Sequence, residues 1–132
     1  MIAFSNVSFF TVEDCEALDS RGKGIDLALG SEITVARSRV MRTNTDGIAV
    51  WSAAKVSIVD NRIEQAGDDP ISAHSGDSDP SPVRSSVTIS RNQIYDAYGS
   101  ISVLGAKSTQ IDNNIIERAF NGIIVGAEPF FQ

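Results

Sequence analysis

Two stretches decide the fold: Gly47-Ile48-Ala49-Val50-Trp51 and, 23 residues further on, Pro70-Ile71-Ser72-Ala73-His74. The same step from a small or turn-forming residue to isoleucine stands at Gly24-Ile25, Ser100-Ile101 and Gly122-Ile123, so the five isoleucines are separated by 23, 23, 30 and 22 residues. The long interval holds Gly76-Asp77-Ser78-Asp79-Pro80-Ser81-Pro82, seven turn-forming residues whose removal returns it to 23. A second column runs nine or ten residues ahead of each isoleucine, through Cys15, Ser38, Asn61, Asn92 and Asn114. Two columns in phase at one period mark a repeat architecture.

Between the anchors the residues alternate with period two, as in Val56-Ser57-Ile58, Val87-Thr88-Ile89 and Ile101-Ser102-Val103. Short β-branched runs bounded by turn residues read as strands, and no stretch carries apolar residues at helical spacing between caps. A unit of about three short strands cannot bury its apolar face alone, so the units must stack. The expectation is an all-β solenoid of about five coils in one domain, 1–132, with coils near 10–32, 33–55, 56–86, 87–108 and 109–126. At the spacing of neighbouring strands, five coils rise about 24 Å.

The Asn column is expected in the turn after the second strand, where a short amide tolerates left-handed backbone and bonds to the coils above and below. That role is structural, and Cys15 in the same column reads as a small buried side chain. In the strand beginning at each isoleucine, that residue and the one two later point inward, and the first and third residues after it point to solvent. The outward third-position column is Ala28, Trp51, His74, Leu104, Gly126. Two residues before each isoleucine stand Lys23, Asp46, Asp69, Gly99 and Asn121, with Asp68 beside Asp69. Trp51, the single histidine of the chain and three carboxylates thus gather on two adjacent coils.

With 132 residues, a net charge of −6 and 42% hydrophobic residues, the chain supports one compact domain. Its eleven Lys and Arg residues form no cluster, so nucleic acid is not an expected partner. No apolar run approaches the roughly 20 residues of a membrane-spanning helix, and no signal peptide opens the chain. One cysteine excludes an internal disulfide. Neither terminus shows a polar capping segment, which suggests a piece of a longer solenoid or self-association through uncapped ends.

The repeat resembles the right-handed parallel β-helix of the pectin-lyase-like superfamily over about residues 10 to 126. Handedness follows from that resemblance and from the preference for right-handed crossovers. Within that superfamily, Asn44-Thr45-Asp46 followed one coil later by Gly67-Asp68-Asp69 is similar to the first two motifs of the polygalacturonases. The resemblance implies Asp68 as general acid, with Asp46 and Asp69 holding the water for inverting hydrolysis. The family's Gly-His-Gly motif has no counterpart where this chain reads Ala97-Tyr98-Gly99-Ser100, and its Arg-Ile-Lys motif is missing too.

An exposed Trp offers a plane for a sugar ring, and crowded carboxylates leave an acid beside a base. The expected candidate catalytic residues are therefore Asp46, Asp68, Asp69 and His74, with Trp51, Asn44 and Ser72 contacting substrate. The expected partner is a polysaccharide, cleaved by glycoside hydrolysis in preference to lyase elimination, at an extracellular, cell-surface or virion-surface location. The competing reading is a non-catalytic structural or glycan-binding β-helix, such as a tailspike or surface repeat protein, in which the aspartates are solvated turn residues. No cofactor is expected, although Asp77 and Asp79 on the insertion, with Asp68 and Asp69, offer oxygen ligands to Ca²⁺.

Overall fold

The computed structural model describes residues 1–74 and 86–126, and these contain fourteen strands and no helix. In chain order they are β1 (Ile2–Glu13), β2 (Glu16–Ser20), β3 (Ile25–Ala36), β4 (Arg39–Thr43), β5 (Ile48–Ala53), β6 (Lys55–Val59) and β7 (Arg62–Ala66). There follow β8 (Ile71–His74), β9 (Ser86–Ser90), β10 (Gln93–Tyr95), β11 (Ile101–Leu104), β12 (Ser108–Asp112), β13 (Ile115–Glu117) and β14 (Ile123–Gly126). Each pairing joins a strand to its counterpart one repeat away and is parallel, which makes the stack a β-solenoid.

One sheet has the order β12-β9-β6-β3-β5-β8-β11-β14, with β1 beside β3, and the other β13-β10-β7-β4-β2. The first sheet wraps two sides of the coil because β3 runs through a corner, pairing with β5 along its first half and with β6 along its second. The isoleucine column is continuous in register, Ile25 opposite Ile48, Ile48 opposite Ile71, Ile71 opposite Ile101 and Ile101 opposite Ile123. Four of the five are fully buried, as are Leu27, Val50, Ala73 and Val103 two residues further on. Ile123 is 52% exposed because no described residue stacks on its far side. The column also begins earlier than the repeat suggested: Ile2 pairs with Ile25, in a coil hidden by Met1 standing where the others carry a small or turn-forming residue.

The second column is an interior ladder. Asn92 Oδ1 accepts from the Asn61 backbone N and from Asn61 Nδ2, both at 3.0 Å, and Asn61 Oδ1 accepts from Ser38 N at 2.9 Å. Asn114 Oδ1 receives Asn92 N and Asn92 Nδ2 in the same way. Spare amide protons go to carbonyls one coil back, Asn61 to Val35 and Asn92 to Ile58. Asn61 and Asn92 are almost wholly inaccessible, so every polar atom needs such a partner. At the N-terminal end Ser38 Oγ accepts from Cys15 N, and Cys15, expected to be buried, is half-buried beside it.

The expectation that the Asn column itself is left-handed is corrected. The residues with positive φ are those just before it, Asp14, Arg37, Asp60, Arg91 and Asn113. One left-handed residue swings the chain outward, and its successor then points inward, where the amide can build the ladder. A second corner repeats the device at Asp19, Arg42, Gln65, Asp96 and Arg118. At these corners Asp and Arg from adjacent coils form two-pronged pairs: Asp14 with Arg37, Asp19 with Arg42, Asp60 with Arg91 and Asp96 with Arg118. The guanidinium hydrogen bonds hold all four carboxyls below their usual range. Exposed pairs of this kind add little stability each, so the ladder and the apolar column carry the stack.

Asn92→Ala is expected to strip partners from the buried Asn61 N–H and Ile58 carbonyl, costing about 3 kcal/mol at 1 to 3 kcal/mol per orphaned group. Ile71→Ala opens a cavity between coils and should cost about 2 to 5 kcal/mol. Urea unfolding midpoints at constant slope check both values, and an unshifted midpoint for Asn92→Ala would rule out the ladder as a stabilising element.

Candidate active site on the outer sheet face

β5, β8 and β11 lie side by side, and their outward residues build the site. Trp51 is opposite His74, as the repeat predicts, with ring centroids 5.8 Å apart at an interplanar angle of 69°. Edge-to-face contact of this kind is favourable and leaves much of the indole uncovered. Trp51 is 45% exposed. His74 Nε2 in turn shares a 2.9 Å hydrogen bond with Ser102 Oγ on the next coil.

Ser72 departs from expectation. It lies on the outward side of β8 yet is only 5% exposed, and Ala49 and Ser102, its neighbours in the column, are buried as well. The cause is overhang by larger side chains: Ser72 Oγ donates to Asp46 Oδ2 at 2.8 Å, and His74 reaches across to Ser102. The face is thus a trough with a floor of small residues, Asp46 on one rim and the Trp51–His74 pair on the other. Ser72 holds Asp46 in place and is not a free group awaiting substrate.

The three aspartates share a corner but differ in surroundings. Gly47 N donates to Asp69 O at 2.9 Å and Asp68 N to Thr45 O at 3.3 Å, which stacks one turn on the other. Asp69 Oδ1 accepts from Ser100 N and Ser100 Oγ, at 2.8 and 3.1 Å, and so clasps the following coil. The clasp explains Gly99, because a Cβ there would stand 2.4 Å from Asp69 Oδ1. Asp68 is exposed. Asp46 is half-buried, and that burial above all holds its carboxyl above the usual range; the Ser72 hydrogen bond opposes the shift, while the charges of Asp68 and Asp69 add to it.

Asn44 sits across the corner, exposed, with its backbone against Ser20 and Gly67. The insertion Gly76–Pro82, including Asp77 and Asp79, lies outside the described residues. Among the described residues no three His, Cys, Asp or Glu side chains are grouped to hold a metal ion. Sequence reasoning missed Ser100 and Ser102; both follow from the isoleucine column, standing directly before and after Ile101.

The parallel β-solenoid defines the class of protein. The family is equally definite: a model described as a right handed beta helix region matches residues 2–129, and the chain belongs to that family. The match fixes the hand of the solenoid and includes the early coil at Ile2. No curated protein and no solved structure matches the chain.

The raised Asp46 carboxyl carries a sign for stability. A group whose folded-state pKa lies above its unfolded value of 3.8 contributes fully below that value and loses its contribution as pH rises through the folded one. Charged Asp46 therefore costs stability at neutral pH. Asp46→Asn, which keeps an acceptor for Ser72, is expected to raise the melting temperature at pH near 7, with the gain disappearing below the ordinary carboxylate range. Thermal unfolding across pH checks this, and a variant less stable than the parent at neutral pH contradicts it.

Proposed function

We propose that this β-helix binds a polysaccharide in the trough of β5, β8 and β11 and hydrolyses it with the aspartates of the adjoining corner. The observation that carries the reading is a half-exposed indole on one rim of a trough whose opposite rim holds a carboxyl pushed towards its protonated form. A sugar ring stacks on Trp51 through its apolar face, and the hydroxyls of the chain meet His74 and the rim carboxylates.

In this reading Asp46 takes the part of the general acid, protonating the glycosidic oxygen as the bond to the anomeric carbon breaks. Asp68, in solvent at the same corner, takes a proton from the attacking water. Asp69 is a positioning residue, committed to Ser100. This reassigns the roles implied by the polygalacturonase-like motifs, in which Asp68 is the acid, because burial and not motif order raises a carboxyl pKa. An acid of this kind predicts activity that falls as pH rises past the raised Asp46 value. A protein of this function belongs outside the cell or on a cell or virion surface, where polysaccharide is found.

A non-catalytic glycan binder is the second reading. It is favoured by the serine hydrogen bonds to Asp46 and Asp69, which serve equally well as clasps between coils. A reducing-end assay with binding measurements on the same polysaccharides separates the two. Trp51→Ala should weaken binding by about 1 to 3 kcal/mol through lost contact area in either case. Asp46→Asn should abolish turnover with binding retained if the site is catalytic. Unchanged binding in Trp51→Ala overturns the trough as a glycan site.

A further inference from the structure

A second aromatic surface lies around the corner from the trough. Tyr98 and Phe120 are 65% and 76% exposed, with ring centroids 5.5 Å apart and planes within 7° of parallel. Side-by-side rings in one plane cannot approach so closely, so the two rings overlap in offset stacking, and among the described residues no other ring stacks on the outer face of either. Tyr98 N donates to Ala66 O and Phe120 N to Ala97 O, which sets Phe120 opposite Tyr98 and Tyr98 opposite Gly67. Gly67 has to be glycine, since a Cβ there would stand 2.4 Å from Asn44 O. The aromatic column therefore stops at a residue with no side chain, and the near face of the Tyr98 ring is left without a covering side chain.

A shallow, open groove runs beside these rings over a floor of Ala66, Ala97 and Ala119, with a volume of about 540 Å³. Its far wall is Gln65 together with the Asp96–Arg118 pair. Both prongs of that pair are made, at 2.6 and 3.1 Å, so the wall offers hydrogen-bonding atoms but no unsatisfied charge. An aromatic plane, an apolar floor and a charge-balanced polar wall suit an uncharged pyranose better than a uronate, which would find no free cation among the described residues that line the groove.

Gly99 N donates to Asp68 O at 3.0 Å, which stacks the Tyr98 turn on the turn that carries Asp68 and Asp69. Turns in the earlier coils place four residues between Thr43 and Ile48 and between Ala66 and Ile71, whereas Ala97 to Ile101 and Ala119 to Ile123 leave three. The shorter turn is the one that carries an aromatic, and it opens the two-ring platform only on the later coils.

We propose that the Tyr98–Phe120 groove is a second saccharide subsite, around the corner from the trough, and that the ligand is a neutral polysaccharide long enough to reach both. The proposal rests on the polysaccharide reading of the Trp51 face and adds to it a second platform and the neutral class of the chain.

Calorimetric titration of the whole protein with neutral linear glucans, mannans and galactans, with polygalacturonate as the charged control, tests it. Tyr98→Ala is expected to weaken binding of the recognised polymer about three- to tenfold, the range of an aromatic contact, and to leave binding of the corresponding disaccharide in the trough unchanged. Tyr98→Phe should bind as the parent does. Should Tyr98→Ala fail to fold, Tyr98→Leu, which retains apolar contact with Phe120 but lacks the ring, gives the same reading. Polymer affinity unchanged in Tyr98→Ala while Trp51→Ala weakens it overturns the second subsite alone. Tighter binding of polygalacturonate overturns the neutral class, and failure of every polymer to bind the parent protein overturns both readings.

Discussion

Every position in this molecule depends on residues of successive coils lying directly opposite one another. In a parallel stack a slip of one residue would turn each inward side chain outward, so the register must be specified from within. The asparagine ladder specifies it. Each side-chain oxygen of Asn61, Asn92 and Asn114 receives the backbone N–H of the ladder residue one coil back, and only a side-chain acceptor at the same point of each coil can do so. Isoleucines fill the interior in register but tolerate neighbours of similar volume, whereas a displaced amide leaves buried polar atoms unpaired. The apolar column therefore supplies most of the drive to stack, and the amide column fixes where stacking occurs.

The outer face inherits that register. Trp51 meets His74 because Ile48 meets Ile71, and Asp46 reaches Ser72 because the turn before Ile48 lies on the turn before Ile71. The corner then divides chemically similar groups. Asp69 is tied down by Ser100, Asp68 stands in solvent, and Asp46 is half covered and crowded by two like charges. One corner of two stacked coils thus holds three carboxyls in three different environments, the condition under which acid and base roles separate.

The left-handed corners use a related economy. Non-glycine residues adopt positive φ at the two Asp/Arg corner columns, as they also do at Asn6, Leu29 and Ser52 and at Phe9 and Glu32, a conformation costing roughly 1 to 2 kcal/mol for each ordinary side chain. Alternation of Asp and Arg from coil to coil lets the strained residues pair with one another on the outside while the following residue turns inward. Strain, charge pairing and the amide ladder are consecutive steps of one bend.

The repeat, the all-β class, the isoleucine column and the pairing of Trp51 with His74 were legible in the sequence because a solenoid converts linear periodicity directly into spatial adjacency. So was the gathering of Asp46, Asp68 and Asp69 at one corner. The coil at Ile2 was not, since Met1 does not mark its turn, and neither was the left-handed column, because Asp, Arg and Asn share no turn signature. Tertiary structure alone decided what adjacency did to each group. It buried Ser72 on a face that alternation places outside, raised the Asp46 carboxyl, committed Asp69 to Ser100, and left Tyr98 uncovered above Gly67. Period fixes which residues are neighbours, but burial and hydrogen bonding depend on the sizes and reach of side chains arriving from three coils at once, and no single repeat contains that information.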